Sequence, residues 1–452
     1  MDAMDAALLA KYDAPLPRYT SYPTAPHFHG GVDAATYAGW LAALDPDTSL
    51  SLYVHVPFCR RLCWFCGCST KVTNRYAPVR AFLDDLAREV DAVAGRSGSR
   101  GPVSHIHWGG GTPTILEPDD IRRLADLLRG AFDVAPDTAF DVEIDPRALK
   151  ADQARALSAA GVTRASLGVQ DVNPDVQEAI NRVQPVAVTQ AAVDALRDAG
   201  VDALNVDLMY GLPGQDDDHV AATVAATLDL APDRIALFGY AHVPWMKRHQ
   251  RLIPEDKLPD GAARARQAAL AADLLGAAGY VAIGLDHFAR PDDPLARAAR
   301  RGTLRRNFQG YTTDAAAGLL AFGPSAIGAL PQGYVQNAPD LRAWRTAVHD
   351  RGLATVKGVA LTADDRLRRA VIERLMCGFE VDVGAVAAAH ATPADTFAAE
   401  LDGLADLAAD GLVEVDGAVV RVTDPGRPFL RVVAARFDGR LAAGQVRHSR
   451  AV

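Results

Sequence analysis

The stretch LSLYVHVPFCRRLCWFCGC, from Leu50 to Cys68, decides the fold. It opens with a β-rich run, Leu50 to Val56, and passes into a loop with cysteines at 59, 63, 66 and 68. Similar β-rich runs recur at Val103 to Trp108 (VSHIHW), Phe140 to Ile144 (FDVEI), Arg164 to Val169 (RASLGV), Ala203 to Met209, Ile235 to Tyr240 and Tyr280 to Leu285. Segments with helical spacing lie between them, such as Val79 to Val93, Asp119 to Phe132 and Val186 to Ala199. Six or seven alternating β-then-α units predict an α/β fold whose parallel sheet is closed or partly closed into a barrel. Ligands of such sheets sit at the carboxyl ends of the strands, which is where the cysteine loop begins.

The bulk numbers agree with that architecture. A chain of 452 residues is too long for one ordinary core. The expectation is an N-terminal arm (1–48) packing on a catalytic barrel domain (49–355), with a smaller, mainly helical, winged-helix-like domain (356–452). That last domain is read from the helical segments Asp364 to Met376 and Thr396 to Asp410. They lead into LVEVDGAVVRVT, where Asp416-Gly417 is expected to make a type I′ hairpin turn. A structural cap is preferred over DNA binding for this domain. Net charge is −9, from 47 basic and 56 acidic residues, and phosphate binding needs a basic field, so no nucleic-acid partner is expected.

No membrane partner is expected either. The charge-free run Ala315 to Pro339 is long enough to span, but Gly318, Gly323, Pro324, Gly328, Pro331 and Gly333 interrupt it, and it reads as a buried loop region. The start, MDAMDAALLAKYDAP, lacks the pattern of a secretory signal. The expectations are therefore a cytoplasmic location and a monomer. Four of five cysteines crowded into ten residues, in a reducing compartment, point to metal or redox chemistry rather than disulfides. Cys377, in ERLMCGF, reads as a core residue.

Cys59, Cys63 and Cys66, spaced x3 and x2 on one loop, suffice to ligate three irons of a cubane and leave the fourth iron open. The competing reading is a zinc site with Cys68 as its fourth ligand. Gly109-Gly110-Gly111-Thr112 follows the next strand, and a backbone without Cβ atoms approaches a ligand closely. Glu143 and Asp207, on later strands, are acidic groups suited to a cation. The spacing C-R-R-L-C-W-F-C resembles the radical S-adenosylmethionine (SAM) signature. The resemblance implies a [4Fe-4S] cluster and reductive cleavage of SAM to a 5′-deoxyadenosyl radical.

A more specific resemblance spans nearly the whole chain. The runs PRYTSYPTAPHF (17–28), YVHVPFCRRLCWFCGC (53–68), HWGGGTPT (107–114), EIDPR (143–147) and SLGVQD (166–171) are similar to the oxygen-independent coproporphyrinogen III oxidase family. So are NVDLMYGLP (205–213), GLDHFARPDD (284–293), RNFQGYTT (306–313) and FGPSAIG (322–328). This resemblance implies decarboxylation of two propionates of coproporphyrinogen III to vinyl groups, giving protoporphyrinogen IX for heme, with an electron donor and an electron acceptor as further partners. It implies two SAM molecules, the first touching Tyr53, Phe65, Gly110 and Glu143. The second would touch Gly111, Thr112, Gln170, Arg182, Asp207, Ala241 and Ile327. Arg18, Arg290, Arg305 and Arg306, in family-like motifs, are candidates for the substrate carboxylates. Cys68 is the candidate for a catalytic thiol on the substrate side. His55, His107, His242 and His287 share these motifs but are assigned to no metal. A heme-binding chaperone and a zinc-stabilised DNA-binding regulator are the rival classes. Cys68 and RNFQGYTT argue against the first, and net charge with GGGTPT against the second.

Overall fold

Alternation with a period of two builds the sheet. In β2 (Val103–Gly110), β3 (Val134–Ile144), β4 (Arg164–Gln170) and β5 (Ala203–Tyr210), one face carries Ile106, Trp108, Phe140, Val142, Ala165, Leu167, Leu204 and Val206, all buried. Most of these residues share one core with helix residues such as Phe82, Leu124, Leu157 and Leu196. The other face carries His105, His107, Asp141, Glu143, Ser166, Asn205 and Asp207, half-buried along the inner surface. The computed structural model describes residues 6–441.

The parallel run is β9 (Gly318–Phe322), β1 (Leu50–Val56), β2, β3, β4, β5 and β6 (Arg234–Gly239), within a sheet of 12 strands. The crossover helices are α1 (Ala77–Arg96), α2 (Pro118–Ala131), α3 (Ala151–Ala159), α4 (Val186–Asp198), α5 (Asp217–Asp229) and α6 (Gly261–Ala277). Helix α2 shows why they form where they do. Pro118 sits at the first turn with Asp119 and Asp120, Arg129 sits in the last turn, and Ile121, Leu124 and Leu128 make one buried stripe. The sheet's end strands do not pair with each other, so the barrel is partial.

Three expectations need correction. The run Tyr280 to Leu285 is not a seventh parallel unit. Strand β7 (Val281–Ile283) pairs antiparallel with β8 (His287–Ala289), which is antiparallel to β6. Three intervening residues permit a hairpin, whereas a parallel crossover needs a dozen or more. The charge-free run Ala315 to Pro339 is not a loop either. It contains β9, which pairs with β1 on the side opposite β2, and then β10 (Ile327–Leu330) and β11 (Gly333–Asn337). Gly323, Pro324 and Pro331 lie at the corners of a meander, which β12 (Thr355–Ala360) completes, so the large sheet runs to residue 360. Finally, Asp416 pairs with Val419, leaving Gly417-Ala418 as the hairpin loop. Only Gly417 (φ 57°) has positive φ there, which fits a type II′ turn and not I′.

The N-terminal arm packs on the barrel with its second half and on the C-terminal module with its first. Tyr12, Leu16, Tyr19 and Tyr22 share a core with Leu375, Met376 and Phe429 of the C-terminal module, whereas Val32, Tyr37, Leu41 and Leu44 join the barrel core. The Tyr19 hydroxyl donates to Asp438 (3.0 Å), and Arg431 Nε donates to the Pro17 carbonyl (2.9 Å). An arm rich in tyrosine and proline, with few charges, buries most cheaply against whichever apolar surface lies nearest.

One buried carboxylate ties α1 to the meander. Glu89, 2 % exposed, accepts from Gly323 N–H (2.7 Å), Asn337 Nδ2 (2.7 Å) and Trp344 Nε1 (3.2 Å). Burial pushes its carboxyl up from 4.5 to about 7 against those three donors. A raised acid contributes stability that is present below pH 4.5 and lost as the pH rises through about 7. Glu89→Ala orphans three buried donors and should cost roughly 2–4 kcal/mol in urea unfolding at pH 6. The wild type's loss of stability between pH 5 and 7.5 should flatten in this variant.

Candidate active site

The cysteine loop is held in place by its carbonyl groups. After β1, Phe58–Cys59 pairs in parallel with Lys71–Val72 and closes the loop at its base. Asn181 Nδ2 donates to the Leu62 carbonyl (2.8 Å), Gln250 Nε2 to Phe65 (2.9 Å) and Lys247 Nζ to Cys68 (3.0 Å). His249 Nε2 binds the Cys66 carbonyl (2.7 Å) and His55 Nε2 the Ser69 carbonyl (2.8 Å). Five backbone acceptors on a loop with little regular structure of its own are thus satisfied by side chains from outside it. The loop's shape depends on the barrel top.

Cys59, Cys63, Cys66 and Cys68 line one open pocket with Phe65, Gly110, Gly111, Thr112, Glu143, Gln170, Arg182 and Asp207. These expected residues meet at the carboxyl ends of β1 to β5. The cysteines differ in setting. Burial pushes the Cys59 thiol up to about 11. A hydrogen bond with Cys68 draws Cys66 down to about 7, and the same bond pushes Cys68 well up. Cys63 receives Arg147 Nη2 and Arg182 Nη1, each 3.4 Å from its sulfur.

The glycine turn after β2 is tight. Gly110 has φ 104°, and a Cβ there would meet the His55 ring at 2.6 Å. A Cβ on Gly111 would meet the Phe58 carbonyl oxygen at 2.5 Å. Glu143 accepts from Gly110 N–H (2.9 Å) and faces His107 Nε2 (3.1 Å). Burial pushes this carboxyl up, but His107 and the Gly110 N–H outweigh it, and Glu143 ionises below the usual range. Asp207 accepts from Asn205 Nδ2 (2.8 Å). Burial, with the nearby Glu143 charge, lifts it to about 6. Gln170 takes the left-handed region (φ 72°) beside an irregularity in the β4–β5 register, which turns its side chain into the pocket.

Three expected ligand residues do not form the pocket wall. Tyr53 lies behind it, its hydroxyl 3.1 Å from His55 Nδ1. Ala241 follows β6, and its carbonyl accepts from Gln250 (3.2 Å). Ile327 opens β10 and packs with the cluster of Phe28 and Tyr334. Among the arginines, Arg18 donates to the Gly239 carbonyl at the carboxyl end of β6 (3.0 Å). Arg306 lies 4.3 Å above the Tyr311 ring, with its Nε and Nη1 buried and unpartnered. Arg305 turns outward toward Glu373 (3.7 Å). Arg290 is removed from the site. It binds the Ala231 and Pro232 carbonyls, beside the amino end of β6, because β8 runs antiparallel and carries it downward.

The pocket also contains residues to which the sequence reading assigned no role: Arg61, Thr70, Asp145, Arg147, Ser166 and Gly168. Asp145 stands two residues beyond Glu143 and Ser166 two before Gly168, so strand alternation alone places them on the inner face.

Comparison with known proteins follows the same division of the chain. Residues 53–226 match the radical SAM superfamily and residues 361–429 the HemN C-terminal domain. An oxygen-independent coproporphyrinogen III oxidase from Bradyrhizobium diazoefficiens is 51% identical over 450 residues, covering 99% of this chain and 100% of that one. Its counterpart from Escherichia coli is 42% identical, covering 96% and 95%. The solved structure of coproporphyrinogen III oxidase (HemN) from Escherichia coli, described as a radical SAM enzyme, superposes with a TM-score of 0.92. It is 40% identical and covers 97% of this chain and 100% of that one.

Asp207 gains its charge only as the pH rises through about 6. Affinity for a cationic sulfonium ligand such as SAM should therefore rise between pH 5 and 7, and Asp207→Asn should flatten that rise. Equilibrium dialysis at several pH values measures the difference.

Proposed function

The chain belongs to the oxygen-independent coproporphyrinogen III oxidases, a family of radical SAM enzymes, and we propose that it decarboxylates two propionates of coproporphyrinogen III to vinyl groups, yielding protoporphyrinogen IX. The observation that carries this reading is the meeting, in one pocket, of the cysteine loop, the glycine turn and the carboxylates Glu143 and Asp207. The pocket suits the family's cofactors. Three thiols on one loop match a cluster with one open iron, and Arg147 Nη1 and Arg182 Nε are buried there without acceptors. When bound, the [4Fe-4S] cluster and SAM supply an electron and a 5′-deoxyadenosyl radical that removes hydrogen from a propionate β-carbon.

The chain's own residues do the rest. Cys59, Cys63 and Cys66 hold the cluster. Gly110 would bring backbone close to the first SAM, and Glu143 would receive its ammonium group. Gly111, Thr112, Gln170, Arg182 and Asp207 would receive a second SAM, with Asp207 supplying negative charge for its cation. Arg18 and Arg306, beyond the carboxyl end of β6, bind substrate carboxylates. The two unpartnered Arg306 nitrogens, Nε and Nη1, support that role, because buried N–H donors without acceptors are costly unless an anion completes them. Once hydrogen has gone from a β-carbon, the bond between the neighbouring α-carbon and its carboxylate breaks, carbon dioxide leaves, the vinyl double bond forms between the two carbons, and one electron leaves for an external acceptor.

Anaerobic incubation with SAM, a reductant and coproporphyrinogen III should form protoporphyrinogen IX and consume SAM. Product without the cluster, or SAM cleavage without product, would overturn the reading. Cys59→Ala, Cys63→Ala and Cys66→Ala should each lose the cluster absorbance and at least 100-fold of the activity, about 2.7 kcal/mol or more. Cys68→Ser should behave differently. A fourth thiolate would close the cluster to SAM, so this variant should keep a SAM-responsive cluster spectrum while losing most product formation. Loss of the spectrum in Cys68→Ser would instead favour a four-cysteine site.

A further inference from the structure

We propose that Arg147, anchored by Asp145, is a positioning residue that raises the reduction potential of the iron–sulfur cluster by placing a fixed charge and an N–H donor on the Cys63 sulfur. This rests on the reading that Cys59, Cys63 and Cys66 hold the cluster. The geometry is specific. Asp145 Oδ1 accepts from Arg147 Nε (2.9 Å) and Oδ2 from Arg147 Nη2 (2.7 Å), a two-bond fork that fixes the guanidinium plane. The same Nη2 then lies 3.4 Å from Cys63 Sγ. Arg182 reaches that sulfur from another direction at 3.4 Å, and its Nη2 stands 3.6 Å from Asp145.

One carboxylate thus organises two guanidiniums on one thiol. The other cluster thiols have neutral donors instead. The Thr112 hydroxyl is 3.5 Å from Cys59 Sγ, and the Cys68 N–H is 3.4 Å from Cys66 Sγ. Side chains of Arg147, Arg182 and Asp145 are only 15%, 8% and 16% exposed, so water screens these charges poorly. The proposed function gives Arg182 a ligand to bind but leaves Arg147 without one.

Reduction adds one negative charge to the cluster. A cation and an N–H donor on a ligating sulfur favour the reduced form, and hydrogen bonds and net charge are established levers on such potentials. Asp145 acts twice, fixing Arg147 while offsetting part of its charge. Arg147→Gln removes the cation, whereas Asp145→Asn removes the counter-charge and keeps an oxygen to accept from Arg147. The two changes should therefore move the potential in opposite directions.

The test is an anaerobic redox titration, followed by electron paramagnetic resonance, on the reconstituted full chain without SAM or substrate. Iron and sulfide per chain are measured on every variant. Arg147→Gln should shift the reduction equilibrium at least tenfold against the reduced cluster, which is 59 mV more negative for one electron. Arg147→Lys should recover part of that shift, and Asp145→Asn should move the potential upward. A fully loaded Arg147→Gln whose potential is unmoved or raised overturns the proposal. If Arg147→Gln does not take up iron, Asp145→Asn decides: an upward shift supports the proposal and an unmoved potential overturns it. A wild-type chain that binds no cluster would overturn the cysteine assignment itself, a failure distinct from an intact cluster of unchanged potential.

Discussion

A charged inner face on a partial barrel is the constraint from which the rest of the molecule follows. His105, His107, Asp141, Glu143, Arg164 and Asp207 point into the same half-enclosed space, where an unpaired charge costs several kcal/mol. All but Asp207 therefore have a charged partner, and Asp207 accepts from Asn205 and is pushed toward its neutral form. His105 faces Asp141 (3.2 Å), His107 faces Glu143 (3.1 Å), and Arg164 faces Asp293 (3.3 Å). Pairing fixes orientation as well as energy. Glu143, with one oxygen toward His107 and the other on the Gly110 N–H, cannot swing, and the glycine turn is held against it. The polar interior is thus both the floor of the pocket and what keeps Glu143 ionised.

Much of this was legible in the chain because period-two alternation writes the inner face directly. HIH, DVE and NVD each set two polar residues either side of one that faces the helices, and the glycine turn follows the first of these strands. Three things were not legible. Strand direction at β8 depends on a three-residue turn, so Arg290 looked like a site residue while lying beside the amino end of β6. The parallel pairing of Gly318–Phe322 with β1 links segments more than 260 residues apart, and no local pattern announces it. Arg147 was visible in EIDPR, but its approach to Cys63 joins two loops whose relative position only the folded barrel defines.

The C-terminal module is more than a cover for the barrel. Its Arg431 grips the carbonyls of Leu16 and Pro17, and Arg18, the next residue, reaches the Gly239 carbonyl at the end of β6. The Tyr311 hydroxyl, on the hairpin that carries Arg306, donates to the Met376 carbonyl of the module (2.7 Å) and accepts from Leu285 N–H (3.1 Å). Both arginines assigned to substrate carboxylates thus owe their places to contacts with a domain that contributes no cysteine to the cluster loop.

Charge is divided across the site in a way that the two cofactors and the substrate each require. The cysteine side carries Arg61, Arg147 and Arg182, the strand side Glu143 and Asp207, and the far mouth Arg18 and Arg306 near Asp286. Burial opposes ionisation of Asp286, but His287, Arg306 and Arg18 overcome it and hold the carboxyl at about 2, so it stays charged between the arginines. One carboxylate shared by two guanidiniums leaves a net positive mouth on a chain whose overall charge is −9. A tetracarboxylate approaching that chain is repelled in general and attracted at one place, where the exposed Arg18 and the half-buried Arg306 can bind it. The same arrangement keeps the substrate's anions away from Glu143 and Asp207, the groups proposed to meet SAM, so separating the charges in space is what would let one cavity accept both.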